Sequence, residues 1–399
     1  MANIIDYIDW RGDIPVSFDG FNEVDSLILS KLVYINFSGI VSPLGADGGV
    51  TLRDAAVAYF KKMGETGEDM GLLVPGEIPG LLRRAARSER FGGMCLNAYE
   101  EVLDEAREEQ FAAICAEIGD GTVYCAFRGT DDTLVGWKED FNLGVLETIP
   151  SQTQALDYLE RAARWYRGRG LRVGGHSKGG NLAVYSAANA SEAVQERIVR
   201  VYNNDGPGFR SDPSGVAGFE RIRARILSIK PQSSVVGQIL EHAHEAVVVH
   251  STGIGIGQHN GFTWEVSGRG FVCEPSLSRE GKRNEETFES VAAALSIPQR
   301  EAFVEAFYEV LTGTGARTLS DLNEEKLKNA AGMLKTYHGL DEPTRQAVSD
   351  ALLLLLKYSA KNWMHDVRDT QSKGVDELRH KVEELWHRIF AQDGKRLED

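Results

Sequence analysis

Cysteine is scarce in this chain. Four residues, Cys95, Cys115, Cys125 and Cys273, are spread over 399 positions with no C-x-x-C pair. That spacing excludes a disulfide framework and offers no metal-ligand pattern, so buried, reduced thiols in a cytoplasmic protein are expected. Positive charge is also short: 44 Lys and Arg face 59 Asp and Glu, a net charge of -15. Phosphate contacts need a basic face, so a general nucleic-acid binder is excluded. No apolar run reaches the ~18 residues of a membrane helix. The run ALLLLLKY at 351–358 is too short to span and reads as a buried helix. The opening MANIIDYIDWRGDIP carries acids where a signal peptide carries positive charge and a long apolar stretch. There is no repeat and no low-complexity tract.

What is present reads as two textures. At ~100–200 residues per domain, the length suggests two domains, or one large domain with an appendage. Phe21 to Tyr34, Asp54 to Lys62 and Ile78 to Ser88 have helical spacing, with glycine-rich breaks between them. FAAICAEIG and TVYCAFRG, joined by Asp120-Gly121, predict a hairpin. Thr153 to Arg167 predicts a helix, RVGG a short strand, and Lys178 to about Ala190 another helix. IVRVYNND, ARILSIK and EAVVVHS follow as apolar strands, and WEVSGRGFV as one or two more. Strands this continuously apolar, alternating with helices, predict a mostly parallel central sheet covered on both faces. From Leu277 the pattern is helical throughout: Glu285 to Leu295, Gln299 to Thr312, Asn323 to His338, Glu342 to Asn362 and Val375 to Phe390. The expected organisation is therefore an α/β domain over 1–276 and a helical C-terminal region over 277–399.

Chemistry concentrates in GGHSKGG. Gly175-His176-Ser177-Lys178-Gly179 fits G-x-S-x-G, and it stands between a predicted strand and a predicted helix. That context marks a nucleophile elbow, a sharp turn that needs small residues two before and two after the serine. The turn would present Ser177 at a helix N-terminus, where free N–H groups favour a developing anion. Neither G-x-x-x-x-G-K-[ST] nor a full dinucleotide fingerprint is present, so a phosphate loop is disfavoured.

A serine needs a base and an orienting acid, in the order Ser, Asp or Glu, His for this fold. His242 and His244, in LEHAHEA, read as exposed surface residues. His250 closes the strand AVVVH. His259, in the glycine-rich loop STGIGIGQHNGFTW, is preferred over His250 as the base. The usual acid loop, PQSSVVGQIL, holds no carboxylate. Asp205, one strand earlier in VYNNDGPGF, is the expected acid, its alternative being a simple turn residue. Failing Asp205, a Ser-His dyad oriented by Ser234 or Gln232 is the remaining option. The backbone N–H of Lys178 supplies one oxyanion donor, and Thr130, at the turn of AFRGT, a second through its N–H or hydroxyl. The alternative for Thr130 is a helix cap. Residues 131–150 read either as a lid over the pocket or as an ordinary connection with a buried Trp137.

Together, AFRGT followed by Trp137 and Asp140, GGHSKGG and VYNNDGPGF resemble the class 3 lipase branch of the α/β-hydrolases. Over about residues 1–275 the ordered motifs are most similar to an uncharacterised bacterial family, a domain of unknown function within that superfamily. The resemblance implies an α/β-hydrolase fold with Ser177 as nucleophile, Thr130 and Lys178 at the oxyanion hole and His259 as base. The chain departs from secreted lipases at Lys178, where an apolar residue usually follows the serine, and in the position of the acid. The expectation is a serine hydrolase acting on a small-molecule or lipid ester, with no metal or organic cofactor. A thioesterase or acyltransferase, or an inactive scaffold used for interaction, are the alternatives. Homodimerisation through the helical region is a further expectation.

Overall fold

Two asparagines set the start of the first two helices. Asn3 and Asn22 each accept a backbone N–H from the first turn, and Asp6 and Asp25 return the bond to the cap residue. These capping boxes satisfy donors that a helix start leaves free. They begin α1 (Ile4–Arg11) and α2 (Glu23–Leu32) in the computed structural model, which describes residues 1–339, except Asp47, Leu73, Ala243 and Glu325, together with Arg345. There follow β1 (Val50–Thr51), α3 (Leu52–Met63), α4 (Ile78–Arg87), β2 (Cys95–Asp104), β3 (Glu109–Glu117) and β4 (Val123–Phe127). Next come α5 (Leu134–Asn142), α6 (Pro150–Trp165), β5 (Leu171–His176), α7 (Lys178–Asn189), α8 (Glu192–Gln195) and β6 (Ile198–Asn204). The sheet domain closes with α9 (Ala217–Ile222), β7 (Ile226–Pro231), β8 (Ala246–Val249), β9 (Val266–Ser267), β10 (Gly270–Phe271) and β11 (Cys273–Glu274).

The main sheet runs β1-β2-β3-β4-β5-β6-β7-β8-β11. Pairing is parallel from β4 to β8 and antiparallel at both ends. Side chains alternate between two cores, as the period of a strand requires. In β4, Tyr124 and Ala126 join the core built on α1 to α4, whereas Val123, Cys125 and Phe127 join the core built on α6 and α7. A strand buried on both faces has no polar alternate, which is why these segments read as unbroken apolar runs. The molecule is an α/β-hydrolase fold. Its first helix and β2 carry no strong pattern in the sequence. β2 is broken by a register shift between Asn97 and Glu100, with Ala98 at φ +60°, and such a bulge erases the alternation on which strand reading depends.

In register, Phe127 pairs with Gly175 and His176 with Asn204. The C-terminal ends of β4, β5 and β6 therefore lie level, and the loops that leave them share one edge. That edge is where open α/β sheets bind ligands.

After Glu274 the described chain is helical: α10 (Arg279–Ala294), α11 (Ile297–Thr312), α12 (Leu319–Glu324) and α13 (Lys326–Gly339). The helices expected over 342–362 and 375–390 lie outside the described residues. α11 docks on α5: Lys138 Nζ lies 2.8 Å from Glu305 Oε2, and Phe141 meets Phe303 and Phe307 edge to face. No described helix is long and apolar enough to cross a membrane. The thiols differ in part from expectation. Cys115 and Cys125 are buried and free, but Cys95 is half-buried and Cys273 exposed.

Candidate active site

Ser177 stands between β5 and α7 with φ +59° and ψ -134°, a backbone state a non-glycine residue adopts only when its surroundings enforce it. The glycines provide the room. A Cβ on Gly175 would lie 2.2 Å from the Gly179 carbonyl carbon, and one on Gly179 would lie 2.2 Å from Phe127 O. A Cβ on Gly129 would lie 3.1 Å from Ser177 Cβ, so the turn after β4 presses directly on the elbow. Since α7 starts at Lys178, that residue's N–H is among the helix's unpaired first donors.

The acid and the histidine meet. Asp205 follows β6 at φ +52° and is buried. His259 ends a short 3-10 turn, Gly255–His259, after β8. His259 Nδ1 and Asp205 Oδ2 are 2.6 Å apart, and Ser234 Oγ donates to Asp205 Oδ1 at 2.6 Å. Ser234 thus holds the carboxylate rather than the ring. Gln232 serves neither, bonding the backbone of Ser251. Ser177 and His259 line the same cavity, of about 770 Å³, with Thr130, Lys178, Trp137 and Asp140. Among the described residues Ser177 Oγ makes no hydrogen bond. His250 is elsewhere, its Nδ1 2.9 Å from Glu274 Oε1.

His176 has a part that its position beside the serine did not suggest. It is buried, and its Nε2–H donates to the His259 carbonyl at 2.7 Å, with the two rings 4.4 Å apart. Burial, then the charges of Lys31 and His259, hold its pKa well below the usual imidazole value. A neutral His176 is therefore a fixed strut under the histidine loop. His242 and His244 are half-buried rather than exposed, and desolvation lowers both to about 4.

Thr130 Oγ1 donates to Asp140 Oδ2 at 2.5 Å. With its hydroxyl proton so committed, the donor that Thr130 has left for a ligand is its backbone N–H. Burial raises Asp140 to about 6 against the opposing pull of Lys178. The Lys178 side chain turns away from the cavity chemistry. Its ammonium is buried and bonds Glu139 Oε2 at 2.6 Å, Gln110 O at 2.8 Å and Gln110 Oε1 at 2.8 Å. Glu139 also accepts from Gln110 N and Ser151 N. Within the 131–150 segment, Leu134–Asn142 form α5, which the Lys178–Glu139 contact ties down, with Leu134 and Val135 buried and Trp137 half-buried.

The sequence profile of the Mbeg1-like family matches residues 85–309, more than half of the chain. The chain belongs to the Mbeg1-like family, a lipase-like family. No curated protein matches it in sequence. Solved structures that are similar to parts of it include the following three. The Rhizomucor miehei lipase propeptide complex is 16% identical, with 39% of this chain and 57% of that chain covered and a TM-score of 0.29. MDLA of Penicillium cyclopium is 13% identical, with 66% and 90% covered and a TM-score of 0.35. Lip2 lipase of Yarrowia lipolytica is 13% identical, with 59% and 89% covered and a TM-score of 0.31.

In this Mbeg1-like chain the buried Lys178–Glu139 pair ties the elbow helix to α5, and it carries the first prediction. Removing one partner leaves the other charge buried and alone, which costs about 3–5 kcal/mol. Glu139→Ala is expected to lower the unfolding free energy by that amount in urea melts. Lys178→Met with Glu139→Leu should lower it by less than Glu139→Ala alone, since no charge is stranded. Equal stability of Glu139→Ala and the unaltered chain would contradict the assignment.

Proposed function

We propose that this protein is a serine hydrolase that cleaves a carboxylic ester through an acyl-enzyme. His259 Nε2 takes the proton of Ser177 Oγ as the oxygen bonds to the acyl carbon. The carbonyl π pair moves onto its oxygen, which the N–H groups of Lys178 and Thr130 receive; each such donor is commonly worth about 3–4 kcal/mol. Collapse expels the alcohol, which leaves with the proton from His259. Water then adds to the acyl carbon with His259 again as base; collapse breaks the bond to Ser177 Oγ, which takes the proton back from His259, and the acid departs. Asp205 keeps the proton of His259 on Nδ1, so that Nε2 is free to accept. The Ser177–His259 contact, open in the resting structure, is completed in the substrate complex, as is common for catalytic hydrogen bonds.

One observation carries the reading: a serine held at positive φ on a strand-to-helix turn faces the same cavity as a histidine whose far nitrogen is held by a buried carboxylate. The cavity size also suits a small ester, for which pockets run about 300–1,000 Å³. Nitrophenyl esters of rising acyl length, mixed with the protein and followed by intact-mass spectrometry, test it. The expected result is release of nitrophenol with a transient mass gain equal to the acyl group. Absence of both across the series would refute the proposal.

A further inference from the structure

Lys31, in the last turn of α2, is 1% exposed and lines the cavity that holds Ser177 and His259. Among the described residues its ammonium makes no hydrogen bond and no ion pair. The other deeply buried cations among the described residues are matched: Arg90 with Asp25, Lys178 with Glu139, Lys138 with Glu108, and Arg128 with Glu101. The acids whose charge reaches Lys31 are Asp205 and Glu77, neither of them within ion-pair distance, and both oxygens of Asp205 are already taken by His259 and Ser234.

An unpaired buried cation is strongly disfavoured, because it loses its hydration and gains no partner in return. Two local features offset little of that. The end of α2 favours positive charge only weakly, and the Tyr34 ring, 5.9 Å from Nζ, lies at the outer limit of a cation–π contact. Burial accordingly pushes the Lys31 pKa down to about 7. The side chain is also held in place: a Cβ on Gly261 would lie 3.1 Å from its Cε, which puts the stem against the loop that carries His259. Much of the remaining wall is apolar, including Leu72, Val74, Leu143, Val236, Ile239 and Phe303.

We propose that Lys31 is a binding residue for an anionic oxygen group, a carboxylate or a phosphate, on an otherwise apolar ligand. On the reading of the site given above, the substrate is then an amphiphilic ester that carries one such group. The ligand oxygens supply the partners that the protein withholds from the ammonium, and the apolar wall takes the hydrocarbon.

Binding is measured by titration calorimetry on the full chain carrying Ser177→Ala, so that no chemistry intervenes, with octanoate, octyl phosphate and octanol as probes. At least one anion is expected to bind about tenfold or more tightly than octanol, as a charge-assisted hydrogen bond requires, and the tighter anion identifies the group. Adding Lys31→Met or Lys31→Gln should abolish that difference. The melting temperature of Lys31→Met should equal or exceed that of the parent, because the substitution removes a stranded charge. Equal affinity for anions and octanol, or a preference that survives both substitutions, would overturn the inference. Failure of the acyl-enzyme experiment with this preference intact would remove the ester reading and leave the anion site standing.

Discussion

Replacing Ser177 with alanine is expected to lower kcat for any ester the protein turns over by about 10⁶-fold, with the fold intact. The magnitude follows from losing the attacking atom, after which only the oxyanion donors and substrate binding remain to accelerate attack by water. The fold should persist because Ser177 Oγ makes no hydrogen bond among the described residues, so its removal strands no partner. Alanine has the same Cβ as serine and fits the space that Gly175 and Gly179 leave. Steady-state hydrolysis of a nitrophenyl ester and a thermal melt check both halves. A variant that melts with the parent and retains most of its activity would remove Ser177 from the mechanism.

Asp205→Asn is expected to lower kcat by about 10⁴-fold with little change in KM. Asp205 Oδ1 accepts from Ser234, so in the variant the amide oxygen would occupy that position and the amide nitrogen would face His259 Nδ1. Two donors cannot face each other. The ring would adopt the tautomer that is protonated on Nε2 and could not take the serine proton. A structural role for Asp205 alone would instead appear as a lower melting temperature with kcat per folded molecule preserved. Rates corrected for the folded fraction separate the two cases.

The elbow was readable because three constraints coincide between Arg172 and Ala187: an apolar strand, glycines at fixed offsets and a helix-forming run. Asp205 could be named by elimination, since the following loop lacks a carboxylate, but its bond to Ser234 could not. That bond joins positions 29 apart, in the loops that leave two neighbouring strands, and neither has a periodic pattern to reveal it. Lys178 read as an anomaly because only its backbone has a place in the motif. Its partner Glu139 sits in a segment, WKED, whose acids look like those of a solvent-facing loop. The burial of those charges is a product of tertiary packing, which no local pattern encodes. The same applies to Lys31, whose helix reads as an ordinary amphipathic one, and to His176, whose role depends on a carbonyl 83 residues away.

The most direct measurement is labelling of the full chain with a fluorophosphonate probe, followed by peptide mapping. Probes of this kind phosphonylate a serine oxygen only when a neighbouring base has activated it. The account predicts one adduct, on the peptide that contains Ser177, with none in the Ser177→Ala chain and much slower labelling in Asp205→Asn. Labelling of the Ser177→Ala chain to the same extent as the unaltered protein, or an adduct confined to another serine, would contradict it.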